Sequence, residues 1–122
     1  MTTILLVDDS PTILLSVTAV LVKAGMEVVT AKDGQEALDR LAAGLQPTLI
    51  ITDVNMPRLD GLAFVRAARA AGHRFVPIVM FTTATARSKR DEAKAAGATG
   101  WVVKPVTAEA LLDVIRHVIP AG

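Results

Sequence analysis

The sequence contains no cysteine and no tyrosine, and its aromatic residues are three phenylalanines and one tryptophan. The absence of cysteine excludes a disulfide framework, cysteine-ligated zinc and a thiol nucleophile. No apolar run reaches about 18 residues, and the first residues do not combine a basic segment with a long apolar one, so we expect no membrane span and no signal peptide. The net charge of +1 is not the strongly basic balance of a dedicated nucleic-acid binder.

The sequence is instead rich in aliphatic residues. Hydrophobic residues make up 52% of the 122 positions and include twenty alanines, so the core should be aliphatic and closely spaced. This composition is too apolar for a disordered chain, and the length is that of one domain. We therefore expect one cytoplasmic domain over residues 1–122, with a monomer as the default state.

Short aliphatic runs alternate with helical patterns five times along the chain. The predicted strands cover residues 4–7, 27–30, 48–52, 77–82 and 100–103. The first, third and fourth are continuously apolar, as strands are when a parallel sheet is covered on both faces. Five such units predict one doubly wound, five-stranded parallel α/β sheet with right-handed crossovers, because an eight-stranded barrel needs about twice the residues.

Helix signals occupy the gaps between the strands. Ser10, Asp33 and Thr107 are each placed to cap a helix, and Asp33 is followed by an acidic residue three positions later. The fourth predicted helix, residues 86–96, differs because its only apolar side chains are alanines. We expect it to bury little surface and to be loosely held, either as an ordinary solvated helix or as an element that faces a partner.

Ligands of an open α/β sheet bind outside the carboxyl ends of its strands, so the residues at those ends are candidates for a site. The second strand contributes only Thr30 and Ala31, and we expect it to lie outside the site. The other strand ends carry Asp8, Asp9, Asp53, Thr82, Thr83 and Lys104.

Each candidate has a simpler explanation when taken alone. Asp8 and Asp9 could cap the first helix, residues 53–57 could form a turn, and Lys104 could be solvated. Together they indicate a metal site, because three converging acids raise one another's pKa unless positive charge lies among them. Magnesium takes oxygen ligands of this kind. Such a pocket favours attack of the Asp53 carboxylate on phosphorus, which forms an acyl phosphate.

Other catalytic arrangements are missing from the sequence. It has no glycine-rich P-loop, no HExxH motif and no Ser/His/Asp arrangement in a recognisable context. The two histidines, His73 and His117, fall away from the strand ends, and we expect both to be surface residues.

Four segments together resemble the receiver domain of two-component response regulators. They are Val7-Asp8-Asp9-Ser10, the run 53–61 with the pattern DxxMPxxDG, Thr82-Thr83-Ala84 and Val103-Lys104-Pro105. Their order and spacing match over essentially the whole chain. The chain is similar to single-domain, CheY-like regulators, and the segment 97–101 resembles the chemotaxis-type members.

The resemblance implies a flavodoxin-like fold with strand order 2-1-3-4-5 and a role for each acid. Asp53 is implied to be the phosphoacceptor for a histidine kinase. Mg²⁺, for which Mn²⁺ can substitute, is implied to be ligated directly by Asp9 and Asp53, through water by Asp8 and by the backbone carbonyl of Asn55. The chain is then a signalling protein and not an enzyme beyond its own phosphorylation and dephosphorylation.

The remaining motif residues are implied to bind and sense the phosphoryl group. Lys104 pairs with that group or with Asp53, and the Lys104-Pro105 bond is a candidate cis peptide. Thr82, next to Thr83, moves towards the phosphoryl oxygens, and Trp101 swings inward behind it. Trp101 stands where tyrosine or phenylalanine is more usual, and Thr83 is bulkier than the small residue often found there.

The resemblance places output on the face formed by the fourth helix, the fifth strand and the fifth helix. The implied target is a protein such as a flagellar motor switch component, while a phosphate-sink role or a phosphorelay outside chemotaxis stays open.

Ala84 carries no group to position a hydrolytic water, which predicts slow autodephosphorylation unless a phosphatase assists.

The charge balance adds an expectation about the partner. Setting aside the three pocket aspartates and Lys104 leaves nine acidic and twelve basic residues. Three of the basic ones, Arg87, Lys89 and Arg90, fall on the fourth helix, so we expect an acidic partner surface whose binding weakens as salt is raised.

Alternative functions on the same kind of fold fit the motifs less well. A haloacid-dehalogenase-type phosphatase would show DxDxT after the first strand, and a flavodoxin-like electron carrier would not need this acidic loop chemistry. A receiver-like binding module would lack an acid or the lysine, and a transcription factor needs a DNA-reading element that the sequence does not show.

Overall fold

The computed structural model describes residues 2–54, 56, 58–82, 87–104 and 107–119. Five strands alternate with five helices over these residues. In chain order they are β1 Thr3–Val7, α1 Pro11–Lys23, β2 Glu27–Ala31, α2 Gly34–Ala42, β3 Leu49–Asp53, α3 Gly61–Ala70, β4 Ile78–Thr82, α4 Arg87–Ala96, β5 Gly100–Val103 and α5 Ala108–Val118.

The strands form one parallel sheet in the order β2-β1-β3-β4-β5, which confirms the predicted doubly wound architecture. Nearly every residue of β1, β3 and β4 is buried, as their continuous apolar runs predict for central strands. Several strand ends differ by one residue from the predicted ones, and the end of β3 is the difference that bears on the site. Asp53 is the last residue of β3 instead of the first residue after it, because the Val54 N–H still donates to the Phe81 carbonyl at 3.1 Å.

Two apolar layers cover the sheet, because successive strand residues point to opposite faces. One layer packs β-strand side chains such as Leu5 and Met80 against α2, α3 and α4. The other packs Leu6 and Phe81 against α1 and α5. The sheet is therefore held rigidly from both sides, and its carboxyl edge is the part left open for a site.

The predicted helix caps are present. The side chains of Ser10, Asp33 and Thr107 each accept a hydrogen bond from a backbone N–H in the first turn of α1, α2 and α5 respectively. Asp60 does the same for α3. These bonds satisfy N–H groups that have no partner within the helix.

The fourth helix is anchored more firmly than its sequence predicts. Ala93 and Ala96 are buried in the layer that α2 and α3 also cover. The Arg69 guanidinium on α3 donates two hydrogen bonds, of 3.2 and 2.8 Å, to the carbonyl of Gly97 just beyond the end of α4. The two buried alanines and this arginine anchor hold the carboxyl end of α4, which the expectation of a loosely held helix did not anticipate.

No helix among the described residues combines the length and the apolar character that crossing a membrane requires.

Two phenylalanines, one fully buried and one exposed, test whether the described core accounts for the stability of the fold. Phe64 is 0% exposed and Phe75 is 96% exposed. We expect Phe64→Ala to lower the free energy of unfolding by about 3–5 kcal/mol, because it leaves a cavity between α3 and the sheet. Phe75→Ala should change it by less than about 0.5 kcal/mol. Urea unfolding at neutral pH measures both, and similar losses in the two variants would contradict the described core.

Candidate functional site

The strand register brings the predicted acids to one level of the sheet edge. Val7 of β1 lies beside Thr52 of β3, so Asp8 follows β1 at the level where Asp53 ends β3. The Asp8 N–H is held by the Ala31 carbonyl of β2 at 3.0 Å. Carboxylate oxygens of Asp8, Asp9 and Asp53 consequently lie within 4.8 Å of one another.

The lysine that follows β5 reaches across the edge to these acids. Its backbone N–H donates to the Thr82 carbonyl at 2.7 Å, which continues the pairing of β4 and β5 beyond the last strand residue. Its Nζ lies 3.2 Å from Asp8 Oδ2 and 3.4 Å from Asp53 Oδ2, and the side chain is 18% exposed. One ammonium therefore pairs with two carboxylates at once.

The backbone orients each buried carboxylate through its second oxygen. Asp8 Oδ1 accepts a 3.0 Å hydrogen bond from the Ser10 N–H, and Asp53 Oδ1 accepts one of 2.8 Å from the Val54 N–H. In both residues the remaining oxygen faces Lys104. Ser10 supplies the cap of α1 through its own hydroxyl, so helix capping does not explain the acids beside it.

The surroundings of Asp53 disfavour its ionised form. Burial raises the pKa of Asp53 above its ordinary value of 3.8, and the negative charge of Asp8 raises it further. The Lys104 ammonium and the Val54 N–H act in the opposite direction but do not cancel this effect. Asp53 therefore holds its proton more tightly in the folded protein than an exposed aspartate does.

The donor set suits a hard divalent cation. Three carboxylates and one ammonium leave a net charge of about −2 when all are ionised, and Mg²⁺ prefers oxygen ligands while keeping some of its waters. Asp8 and Asp53 are buried whereas Asp9 is exposed. The cluster is thus open towards solvent on the side of Asp9, where waters and a phosphoryl group could enter.

The structure brings together five of the predicted site residues, while four others lie outside the residues that it describes. Asp8, Asp9, Asp53, Thr82 and Lys104 meet at the carboxyl edge, and Thr82 is buried there. Four further residues with predicted roles lie outside the described residues: Asn55, Thr83, Ala84 and Pro105, and with Pro105 the candidate cis peptide bond.

Trp101 lies on β5, next to the site in the sheet but not within it. Its side chain is half-buried and packs against the layer under α2, α3 and α4. It also lines a hollow of about 400 Å³ whose other walls include Ala93, Lys94 and Ala98. The predicted inward movement of Trp101 stays a prediction.

The elements predicted to lie outside the site do so, with one qualification. β2 is an edge strand, yet its last carbonyl, that of Ala31, holds the Asp8 backbone in place. His117 is exposed on α5, as predicted, whereas His73 is half-buried and its carbonyl accepts a hydrogen bond from Arg69.

Sequence reasoning missed a glycine that the strand ending in Asp53 requires. The Gly61 N–H donates to the Val54 carbonyl at 2.8 Å, which brings the start of α3 against the end of β3. A Cβ at position 61 would overlap the Asp53 carbonyl oxygen and lie 2.9 Å from Val54 Cα. The Asp-Gly pair that ends the DxxMPxxDG pattern was the available signal for this close approach.

A fold and an edge site of this kind define a receiver domain. Residues 4–116 match the family model described as the response regulator receiver domain, and the chain belongs to that family. Receiver domains bind Mg²⁺ at an acidic pocket, and the cluster of Asp8, Asp9 and Asp53 is compatible with one.

Relatives and solved structures narrow the resemblance to CheY-like receivers. The chain is 36% identical over 119 residues to the chemotaxis protein CheY1 of Helicobacter pylori, covering 95% of each chain. Its fold matches the chemotaxis protein CheY4 of Vibrio cholerae with a TM-score of 0.92 and 47% identity, over 97% of this chain and 98% of that one.

A larger enzyme also contains a similar region. The chain is 41% identical over 105 residues to a protein-glutamate methylesterase/protein-glutamine glutaminase of Archaeoglobus fulgidus. That match covers 84% of this chain but spans only 29% of the enzyme's length.

The raised pKa of Asp53 predicts how stability depends on pH. The folded protein holds a proton on Asp53 more tightly than the unfolded chain does. The stability that protonated Asp53 contributes is thus fully present below about pH 3.8, the ordinary pKa. It is lost as the pH rises through the higher pKa of the folded state. In EDTA at pH 7, we expect Asp53→Asn to unfold at higher urea concentrations than the wild type.

The difference between the two proteins should shrink as the pH falls towards 4, where Asp53 becomes protonated. Mg²⁺ should reverse the order of stability at pH 7, because the variant offers the cation one charged ligand fewer. A wild type that is already more stable than Asp53→Asn in EDTA at pH 7 would show that Lys104 outweighs the burial of Asp53.

Proposed function

We propose that this chain is a phosphorylatable switch of a two-component phosphorelay, in which Asp53 accepts a phosphoryl group from a histidine kinase in the presence of Mg²⁺. The observation that carries the proposal is the single ammonium of Lys104 between Asp8 and Asp53, beside the exposed Asp9. The family's general interaction with histidine kinases and downstream targets supports it.

The proposed transfer needs few protein groups. An oxygen of the Asp53 carboxylate attacks the phosphorus of a phosphohistidine, the new O–P bond forms an acyl phosphate, and the P–N electron pair returns to the imidazole. The Val54 N–H holds one oxygen of the nucleophile. Lys104 is close enough to balance negative charge on the transferred group, and positioning and charge neutralisation account for most catalysis of this type.

A bound Mg²⁺ would supply Lewis-acid neutralisation of the phosphoryl oxygens. The residues placed to hold it are Asp8, Asp9 and Asp53. Mn²⁺, which also accepts carboxylate ligands, can replace it.

Phosphorylation would alter the pairing of Lys104 and thereby the carboxyl edge. A phosphoryl group adds roughly 1.5 to 2 negative charges, and Lys104 must then divide its contacts between that group and Asp8. Lys104 is joined through its backbone to Thr82, and Trp101 pairs with Met80 two residues earlier along β4. The pairing of β4 with β5 thus offers a short connection from Asp53 to the face formed by α4, β5 and α5.

The proposed output is a shift between two states instead of a new fold. Moving such an equilibrium from 1:99 to 99:1 takes about 5.5 kcal/mol, and charge-assisted hydrogen bonds contribute about 1.5–3 kcal/mol each. A few new bonds to Lys104 and Thr82 approach that amount. Binding of a target to the shifted surface would complete the change.

A chemotaxis pathway with a flagellar motor switch component as target is the favoured setting, because the CheY-type relatives carry chemotaxis names. The alternative is a phosphate-sink or non-chemotaxis role. The basic side chains of Arg87, Lys89 and Arg90 lie outside the described residues, so the acidic partner surface remains a prediction, as do the cytoplasmic location, the monomeric state and a role for a phosphatase.

Mass spectrometry after incubation with acetyl phosphate and Mg²⁺ tests the phosphoacceptor directly. We expect the wild type to gain the mass of one phosphoryl group and Asp53→Asn to gain none, because the variant lacks the nucleophilic oxygen. Asp60→Asn is the matched control, since asparagine still caps α3 and the site keeps its acids. Failure of the wild type to gain mass, or equal labelling of Asp53→Asn, would refute the proposal.

Fluorescence of Trp101, the single tryptophan, tests the coupling between the pocket and β5. Addition of Mg²⁺ and acetyl phosphate should change the emission of the wild type, because the half-buried indole lies in the sheet beside the site. The change should be absent in Asp53→Asn. An unchanged spectrum in a wild-type sample that mass spectrometry shows to be phosphorylated would exclude this coupling.

A further inference from the structure

An ion pair outside the acidic cluster joins two loops at the carboxyl edge of the sheet. The Arg58 guanidinium, in the loop between β3 and α3, donates two hydrogen bonds to the carboxylate of Asp33, which precedes α2. Both bonds are 3.0 Å long, one from Nε to Oδ2 and one from Nη2 to Oδ1. This paired geometry is directional as well as electrostatic.

Asp33 is a rigid anchor for this contact. Its side chain is 7% exposed, against 59% for Arg58. Asp33 Oδ1 also accepts the Glu36 N–H at 2.8 Å as the cap of α2, so the helix itself holds the carboxylate in place. Arg58 and this N–H together keep the pKa of Asp33 below its ordinary value.

Arg58 occupies a backbone conformation that only a few side chains adopt. Its φ is 66°, and it is the one non-glycine residue with positive φ in the described part of the chain. L-residues avoid this left-handed region because Cβ approaches the following carbonyl oxygen. Such conformations persist where the surroundings impose them, and here the bidentate pair with Asp33 is one of the contacts that do so.

Two further contacts hold the same loop. The Leu59 carbonyl lies against Gly34, where a Cβ would come within 2.6 Å of that oxygen. The loop ends are joined by the hydrogen bond from Gly61 to Val54. Residues 58–61 are thus tied to the start of α2 on one side and to Val54, the residue after Asp53, on the other.

We propose that Asp33 and Arg58 are positioning residues that hold the β3–α3 loop in the shape needed to bind the metal beside Asp53. The inference rests on the proposed function, because it assumes that this loop contributes to a metal and phosphoryl site. A loop already ordered before the cation arrives does not lose that conformational freedom on binding. The pair therefore strengthens metal binding without touching the metal.

Two single variants separate this role from helix capping and backbone strain. Asp33→Ser removes the carboxylate but keeps a hydroxyl that can cap α2. Arg58→Gly removes the guanidinium and places glycine where the φ is positive, which favours retention of the fold. The exposed pair Asp113–Arg116 on α5, 3.6 Å apart, provides the control variant Arg116→Gln.

The measurement is isothermal titration calorimetry of Mg²⁺ into each metal-free protein. We expect Asp33→Ser and Arg58→Gly each to weaken Mg²⁺ binding by about tenfold, because the released loop must then be ordered when the cation binds. The double variant should be no weaker than the single ones, because either change breaks the same pair. Arg116→Gln should bind like the wild type.

Acetyl phosphate labelling of the same proteins distinguishes the two proposals. The variants should label slowly at limiting Mg²⁺ and approach the wild-type rate at saturating Mg²⁺. Wild-type Mg²⁺ affinity in both single variants, even with a lower urea midpoint, would overturn the positioning role and leave a stabilising contact. Weakened Mg²⁺ binding without labelling of any protein, wild type included, would support the positioning role and refute phosphorylation of Asp53.

Discussion

The contact of one lysine ammonium with two buried carboxylates is the interaction on which the site depends. Asp8 and Asp53 carry like charges in a place from which water is largely excluded, so burial and the charge of Asp8 both disfavour the ionised form of Asp53. Lys104 relieves this repulsion without removing it, since three acids face a single base. The remaining negative charge suits a divalent cation, which prefers carboxylate oxygens of this kind.

The sheet makes this arrangement possible because it fixes backbone positions that the side chains alone could not hold. Asp53 and Thr82 are the last residues of two central strands, and a backbone hydrogen bond from Lys104 to Thr82 extends the pairing of β4 and β5. Apolar layers on both faces immobilise those strands. The side chains of the site thus lie at the ends of rigid strands. The loop between β3 and α3 lies outside those strands and depends on contacts of its own, such as the pair of Asp33 and Arg58.

The parts that could be predicted are those encoded by local pattern. Apolar runs identified the central strands, and the capping residues Ser10, Asp33 and Thr107 identified the helix starts. The rule that ligands bind at the carboxyl ends of strands predicted that Asp8, Asp53 and Lys104 lie in one site. The parts that were missed depend on residues far apart in sequence. Arg69 anchors the end of α4, and Asp33 has a second role towards Arg58; neither contact leaves a periodic signal, because each joins one side chain to a distant loop.

By itself, the sequence determined the alternation of strands and helices, the class of the sheet and the types of residue at its carboxyl edge, since periodicity and capping act over a few residues. Only the tertiary structure decided which oxygen of each aspartate faces Lys104, that Asp53 closes its strand, and that Gly61 must lack a side chain. Those features depend on strand register and on the approach of separate backbone segments, which set distances to a fraction of an ångström. The amino-acid pattern specifies the chemical groups, and the packed sheet specifies their geometry.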